Sequence, residues 1–180
     1  MAYYYLVASL IPLTLESDIS FTPGEFFDSC KNMLSSQDRQ DLEYVINDQP
    51  ESARHPFVKK WLRTENQLKN AIAAARTARL HIDSHQFLRG DAEIGINETK
   101  VTAEALSKQN PLEKELVLDT YRWRLLDELA RDDFFGMSSI FSFVLKLKLI
   151  MRWKLFSDAK GRDVLEKLFG RKSEEICYGM

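Results

Sequence analysis

Cysteine is almost absent from this chain. Cys30 and Cys177 are the two in 180 residues. They stand far apart and form no CxxC, which excludes a disulfide framework and points to a reducing cytoplasm. Glycine and proline are also scarce, at 7 and 5, and most fall near apparent helix ends. That pattern suits helices joined by short turns and leaves no glycine-rich phosphate loop, neither a Walker A motif nor GxGxxG. A GxSxG nucleophile elbow is missing as well. No stretch is long and apolar enough to cross a bilayer. The most apolar internal segment, Ile140 to Met151, carries Lys146 and Lys148 and falls well short of the roughly 20 residues a span requires. The segment Met1 to Leu15 is apolar but lacks a positive leading region, so it does not read as a signal peptide.

Net charge is small, at -2, so no global field recruits nucleic acid or an anionic membrane. The charge is nevertheless arranged in blocks. Glu16 to Glu51 holds nine acids against two bases, Arg54 to Arg89 eight bases against two acids, and Lys146 to Lys172 nine bases against three acids. This admits two readings. The blocks neutralise one another across the fold and leave solvated faces, or one basic surface is kept for a partner.

What is present is a series of helix signals. Thr22-Pro-Gly-Glu25 is a capping box with proline at the first helical position, and it predicts a helix to about Met33 through Phe26, Phe27 and Cys30. Ser35 with Asp38 starts a short helix holding Leu42, Val45 and Ile46. Asn47 to His55 is a polar loop. Pro56 opens the longest helix, to about Leu88, with Phe57, Trp61, Leu68, Ile72, Ala75 and Ile82 as its core stripe. Asn110-Pro-Leu-Glu113 repeats the start pattern and predicts a helix to about Arg131 along Leu112, Leu116, Tyr121, Leu125 and Leu129. Gly136 ends the turn after it. Ser138 or Ser139 then caps a helix through Phe143, Leu147, Ile150, Met151 and Leu155. A last helix from Asp158 uses Val164, Leu165, Leu168 and Phe169, and Gly170 stops it. Tyr3 to Leu10 reads as a short buried strand or an extended arm, and at this length periodicity does not separate a strand from a buried helical turn. The expected fold is an all-α multi-helix bundle. It forms one domain over 1–180, or two lobes, 1–90 and 110–180, joined by a flexible 91–109 segment. An echo supports two units: Trp61-Leu-Arg63, Leu68-Lys69 and Ile72 recur as Val144-Leu-Lys146, Met151-Arg152 and Leu155.

Motifs that carry chemistry are few. His81 and His85 have metal-ligand spacing on a helix, but His-Ile-Asp-Ser-His lacks the HExxH glutamate and further ligands; solvated helix-end histidines are the alternative. Asp132 and Asp133 follow a helix end with no sign of paired acid and base work. Arg89-Gly90-Asp91 and Asn97-Glu98-Thr99 spell an adhesion tripeptide and a glycosylation sequon, and both need an extracellular setting. No catalytic, cofactor or metal constellation is expected, and the chain reads as a non-enzyme. The candidate partner-binding residues are cationic: Arg63, Lys69, Arg76 and Arg79 in one block, and Lys146, Lys148, Arg152 and Lys154 with Trp153 in the other. With Lys160 and Arg162, the second group resembles a nucleic-acid surface. A pI near 6 suits an acidic protein partner equally well.

The opening Tyr3-Tyr-Tyr-Leu-Val-Ala-Ser-Leu10, then Pro12, Leu13 and Phe21-Thr-Pro-Gly-Glu-Phe26, resembles a little-characterised bacterial family encoded beside V/A-type ATPase genes. That family in turn resembles the central-stalk connector of those rotary motors, in both its archaeal and its vacuolar form. The connector repeats an acid, Asn-Leu-Lys/Arg, a small residue and a base on one helix. Glu65-Asn66-Gln67-Leu68-Lys69-Asn70 with Arg76 is similar, although Asn66 precedes Leu68 by two positions. Lys148 to Lys154 keeps the apolar and basic positions without the acid or the asparagine. The resemblance implies a non-catalytic, all-helical component without cofactors. It would sit at the cytoplasmic face of the inner membrane through its complex and couple the central shaft to the membrane rotor ring. Its partners would be the shaft and the ring of the V/A-type ATPase, with no nucleic acid and no direct membrane insertion. The alternatives are a free-standing helical adaptor or regulator and a nucleic-acid binder.

Overall fold

The computed structural model describes residues 3–90 and 93–156. Within them the chain forms seven α-helices and no strand: α1 Tyr4–Ala8, α2 Pro23–Cys30, α3 Ser36–Ile46, α4 Pro56–Leu80, α5 Ile96–Ser107, α6 Pro111–Ala130 and α7 Met137–Leu155. No helix among these residues is long and apolar enough to cross a membrane. The expected helix from Asp158 to Gly170, together with Lys160, Arg162 and Cys177, lies outside the described residues.

Several starts form as their sequence grammar requires. The Thr22 hydroxyl accepts the Glu25 N–H at 3.2 Å, and the Glu25 carboxylate accepts the Thr22 N–H at 2.7 Å. This reciprocal cap satisfies two donors that a helix N-terminus leaves unpaired. Ser35 Oγ accepts the Asp38 N–H at the head of α3, and Asn110 Oδ1 accepts the Leu112 N–H at the head of α6. The start of α7 is different. Its cap position is Gly136 rather than a serine, and the Asp133 carboxylate accepts the Ser138 N–H at 3.2 Å. A Cβ at Gly136 would stand 1.8 Å from that carboxylate, so glycine is needed for the close approach. The N-terminal run is helical, not a strand. Tyr3 closes it by accepting the Ser35 N–H on its hydroxyl and donating to Asp38, while its own N–H donates to the Phe135 carbonyl.

Three expectations of extent need correction. First, α4 ends at Leu80, because His81 takes a left-handed conformation (φ 54°, ψ 39°) that stops it. Ile82 therefore leaves the helical stripe and lies exposed in a loop. Second, the supposed flexible joint at 91–109 contains α5, which packs on α4 and α6. Third, Leu112 and Leu116 of the α6 stripe are exposed, and the buried positions are Leu118, Asp119 and Leu126. A polar residue inside the buried face hides that face from hydrophobic periodicity.

The core has two parts. The larger gathers α1, α2, α3, the start of α4, Leu126 of α6 and most of α7. Phe26 packs on Phe143 with ring centroids 4.9 Å apart, and Phe57 stacks on Phe141 at 5.8 Å. The helix α7 is buried on nearly every side, from Met137 to Ile150, as expected of a central helix. The smaller core joins Leu68 and Ile72 of α4, Val101 and Ala105 of α5, and Leu118 and Tyr121 of α6. Both cores draw on both halves of the chain, and α4 runs through the two. The cores therefore do not follow the expected 1–90 and 110–180 lobes. The echoed segments also differ in setting: Leu68 is buried where Met151 is half-buried, and Leu155 is exposed where Ile72 is half-buried.

This packing has measurable consequences at two positions. His55 caps α4 by accepting the Phe57 N–H on Nδ1 at 3.2 Å, and its ring packs on Phe141 at 4.9 Å. Burial lowers its pKa from 6.5, against the opposing pull of Asp38, Asp41 and Asp133. The unfolded chain therefore takes up the proton first, and stability falls as pH drops from 7 to 5. In thermal melts across that range, His55→Asn, which retains a cap acceptor, should show a shallower fall than the native chain. The Thr102 hydroxyl is buried without a hydrogen-bond partner among the described residues. Thr102→Val should stabilise the protein by about 1 kcal/mol in urea titration, since it removes an unmet donor at nearly constant volume.

Candidate functional site

The two cores meet at a buried ionic cluster. Glu65 lies on α4 between Trp61 of the larger core and Leu68 of the smaller. Arg122 lies on α6 between Leu118 and Leu126. The guanidinium of Arg122 is 13% exposed and donates twice to Glu65, from Nε at 2.9 Å and from Nη2 at 3.1 Å. Its remaining terminal nitrogen, Nη1, reaches Asp119 at 2.7 Å. Asp119, at 0% exposure, also accepts from Trp153 Nε1 at 2.8 Å and from Arg152 Nη1 at 3.3 Å, both on α7. Arg152 makes a second ion pair with Glu115, and Lys69 approaches Glu65 at 3.4 Å. Three acids and three bases are matched across three helices. Burial alone would lower the Arg122 pKa, but Glu65 and Asp119 outweigh it and hold the guanidinium charged.

The reason for this arrangement is local. Glu115, Asp119 and Arg122 stand three or four apart and share one face of α6. That face is turned inward because Leu118 and Leu126, to either side, are its buried apolar residues. A planar five-donor group is suited to two carboxylates at once. A cleft of about 400 Å³ lies beside the cluster, lined by Trp61, Glu65, Lys69, Arg122, Leu149 and Arg152 among others.

The candidate partner-binding residues have divergent fates. On α7 the cations are largely engaged within the fold. Lys148 Nζ donates to the Val45 carbonyl at 2.8 Å and the Ile46 carbonyl at 3.1 Å and pairs with Asp48, closing the C-terminal end of α3. This end carries the partial negative charge of the helix dipole. Lys154 pairs with Asp18 at 2.7 Å and donates to the Ile19 carbonyl. Lys146 pairs with Asp127 and sits 4.7 Å from the centre of the Trp123 ring. Arg152 and Trp153 belong to the ionic cluster, and Trp153 also meets Phe156 edge-on at 5.5 Å. On α4, Lys69 joins the cluster, Arg79 reaches the Leu106 carbonyl at 3.4 Å, and Arg63 and Arg76 are exposed. Acidic block one and basic block three meet at two ion pairs, Asp18–Lys154 and Asp48–Lys148.

Of the cluster, Glu65, Lys69, Arg152 and Trp153 stand out in the sequence, whereas Asp119, Arg122 and Glu115 do not. Their only signal is three charged residues on the same helical face as two leucines. The possible histidine pair does not form on one helix, because His81 ends α4 and His85 begins a separate 3-10 turn. No group of metal-ligating side chains gathers among the described residues. Cys30 is buried, and burial pushes its thiol up to about 11, so it is not a reactive thiolate. Asp133 serves as the α7 cap.

Fold and cluster together define an all-helical protein whose two cores are joined by a buried ionic clamp. Residues 100–176 match a family described as a protein of unknown function, DUF2764. The matched stretch is less than half of the chain and takes in most of α5 with all of α6 and α7. No curated protein and no solved structure matches the chain.

Replacing Arg122 tests the clamp. Arg122→Met leaves Glu65 and Asp119 buried without their shared partner and should destabilise the fold by about 3–5 kcal/mol. Adding Glu65→Met to that variant should recover a large part of the loss, because the pair is then replaced by apolar groups. Urea unfolding of Arg122→Met, Glu65→Met and the double variant gives the coupling directly; strict additivity would refute it.

Proposed function

We propose that this chain is a non-catalytic structural or accessory component of a bacterial V/A-type rotary ATPase, coupling the central shaft to the membrane rotor ring. The observation that carries this reading is the place of the connector-like segment in the fold. Its acid, Glu65, is the α4 half of the ionic clamp, and its base, Lys69, stands beside it. A coupling element has to transmit load without shearing between its helices. A bidentate ion pair set between two apolar cores resists such sliding, because a shift of one helical turn would leave buried charges unpaired. The other resemblance-bearing residues also have defined structural roles: Tyr3 ties α1 to α3, and Thr22 with Glu25 caps α2.

A second reading, a free-standing helical adaptor, has its own support. Tyr5 is 89% exposed and Phe134 64% exposed. With Tyr4 and Phe135, whose ring centroids lie 5.1 Å apart, they form an aromatic corner of the kind that anchors protein contacts. The nucleic-acid alternative is less favoured, because the α7 cations it would use are held by carboxylates and backbone carbonyls.

Deletion of the gene in its host tests the leading reading. The expected outcome is loss of ATP-driven proton or sodium transport in inverted membrane vesicles, with the native protein co-purifying with the motor. A motor that remains assembled and coupled without this chain would overturn the proposal.

A further inference from the structure

Among the described residues, basic block two is the part of the charge pattern that internal pairing absorbs least. A cleft of about 480 Å³ opens between the second half of α4, the 81–89 loop and α6. Its floor is apolar, with Ile72 and Leu118. Its edge carries Leu80, 67% exposed, with Ile82 and Phe87 also exposed. Lys69, Arg76 and Arg89 stand around it. Among the described residues no ion pair involves Arg76 or Arg89. The acid on the wall, Glu115, is taken by Arg152. The loop is held in place: the buried Asn70 side chain donates to the Arg89 carbonyl at 3.2 Å and accepts the Arg89 N–H at 2.8 Å. Arg89 is therefore positioned by the fold at the edge of an exposed apolar surface.

We infer that this cleft docks an acidic amphipathic helix of another protein. Its apolar face would cover Leu80, Ile82 and Phe87, and its flanking carboxylates would meet Arg76, Arg89 and Lys69. Charge complementarity selects this occupant: exposed apolar side chains beside Arg76 and Arg89, which make no ion pair among the described residues, are matched by leucines flanked by glutamates. Helix-in-groove recognition draws its affinity from the apolar anchors and its orientation from the charges. The inference rests on the reading of this chain as a contact protein and is independent of which machine the partner belongs to.

The test uses the full chain and a fluorescein-labelled synthetic helix with leucine at i, i+3, i+4 and i+7 and glutamate beside them. Fluorescence anisotropy should show binding that weakens at least tenfold when the glutamates are replaced by lysines. The double variants Arg76→Glu/Arg89→Glu and Leu80→Ser/Phe87→Ser should each lose at least tenfold in affinity with unchanged circular dichroism. All four positions are exposed, so the folded core is left intact. No binding, equal binding of the acidic and basic helices, or variants that bind like the native chain would each overturn the inference. So would tighter binding of an oligothymidine through the same arginines, or self-association in sedimentation that Arg76→Glu/Arg89→Glu abolishes, which would make the occupant a nucleic acid or a second copy. Failure here with motor association intact rejects the cleft alone. Helix binding retained without motor association rejects the motor reading alone.

Discussion

The contact between Arg122 and its two carboxylates is the constraint on which the arrangement of the long helices depends. Each core by itself is a modest apolar cluster, and α4 and α6 have to serve both. A guanidinium buried between them has one satisfactory geometry, with its planar fork of donors aimed at Glu65 and Asp119. That geometry sets the offset of α4 against α6, and through Arg152 and Trp153 it sets the position of α7. Apolar packing alone tolerates small shifts of register, whereas a buried ion pair does not. The clamp thus converts two adjoining clusters into a single mechanical unit.

The same logic explains why the charge blocks are not an open surface throughout. Cations along α7 reach back to the first third of the chain, where Lys148 closes the end of α3 and Lys154 holds the segment before α2. These contacts staple the N-terminal helices onto the central one from outside the apolar core. Exposed pairs of this kind contribute little each, but a lysine on two terminal carbonyls also satisfies acceptors that the helix end leaves unmet. Block two is different because α4 presents its second half to a cleft whose wall acid, Glu115, pairs with Arg152 rather than with Arg76 or Arg89.

Much of the fold was legible because its signals are local. Proline after a capping residue marked α2 and α6, and Pro56 marked α4; such start geometry depends on residues within one turn. The stop of α4 was less legible, since a left-handed histidine has no distinctive neighbour pattern. The α5 segment was read as a break because Gly90, Gly95 and Asn97 dominate its start. Gly95 in fact leaves room for the Glu98 carboxylate, which would lie 1.9 Å from a Cβ there. The face of α6 was misjudged for a physical reason. Hydrophobic periodicity assumes that buried means apolar, and here Asp119 and Arg122 are buried with Leu118 and Leu126.

By itself the sequence determined the starts of α2, α3, α4 and α6, the all-α class and the alternation of charge along the chain, since all of these depend on neighbours within a few residues. Tertiary structure alone decided which charges compensate one another. Glu65 and Arg122 are 57 positions apart, and Lys154 and Asp18 are 136 apart. No local rule relates such positions. Only the packing of α4, α6 and α7 brings them within reach, and among the described residues that packing leaves Arg76 and Arg89 beside an exposed apolar cleft.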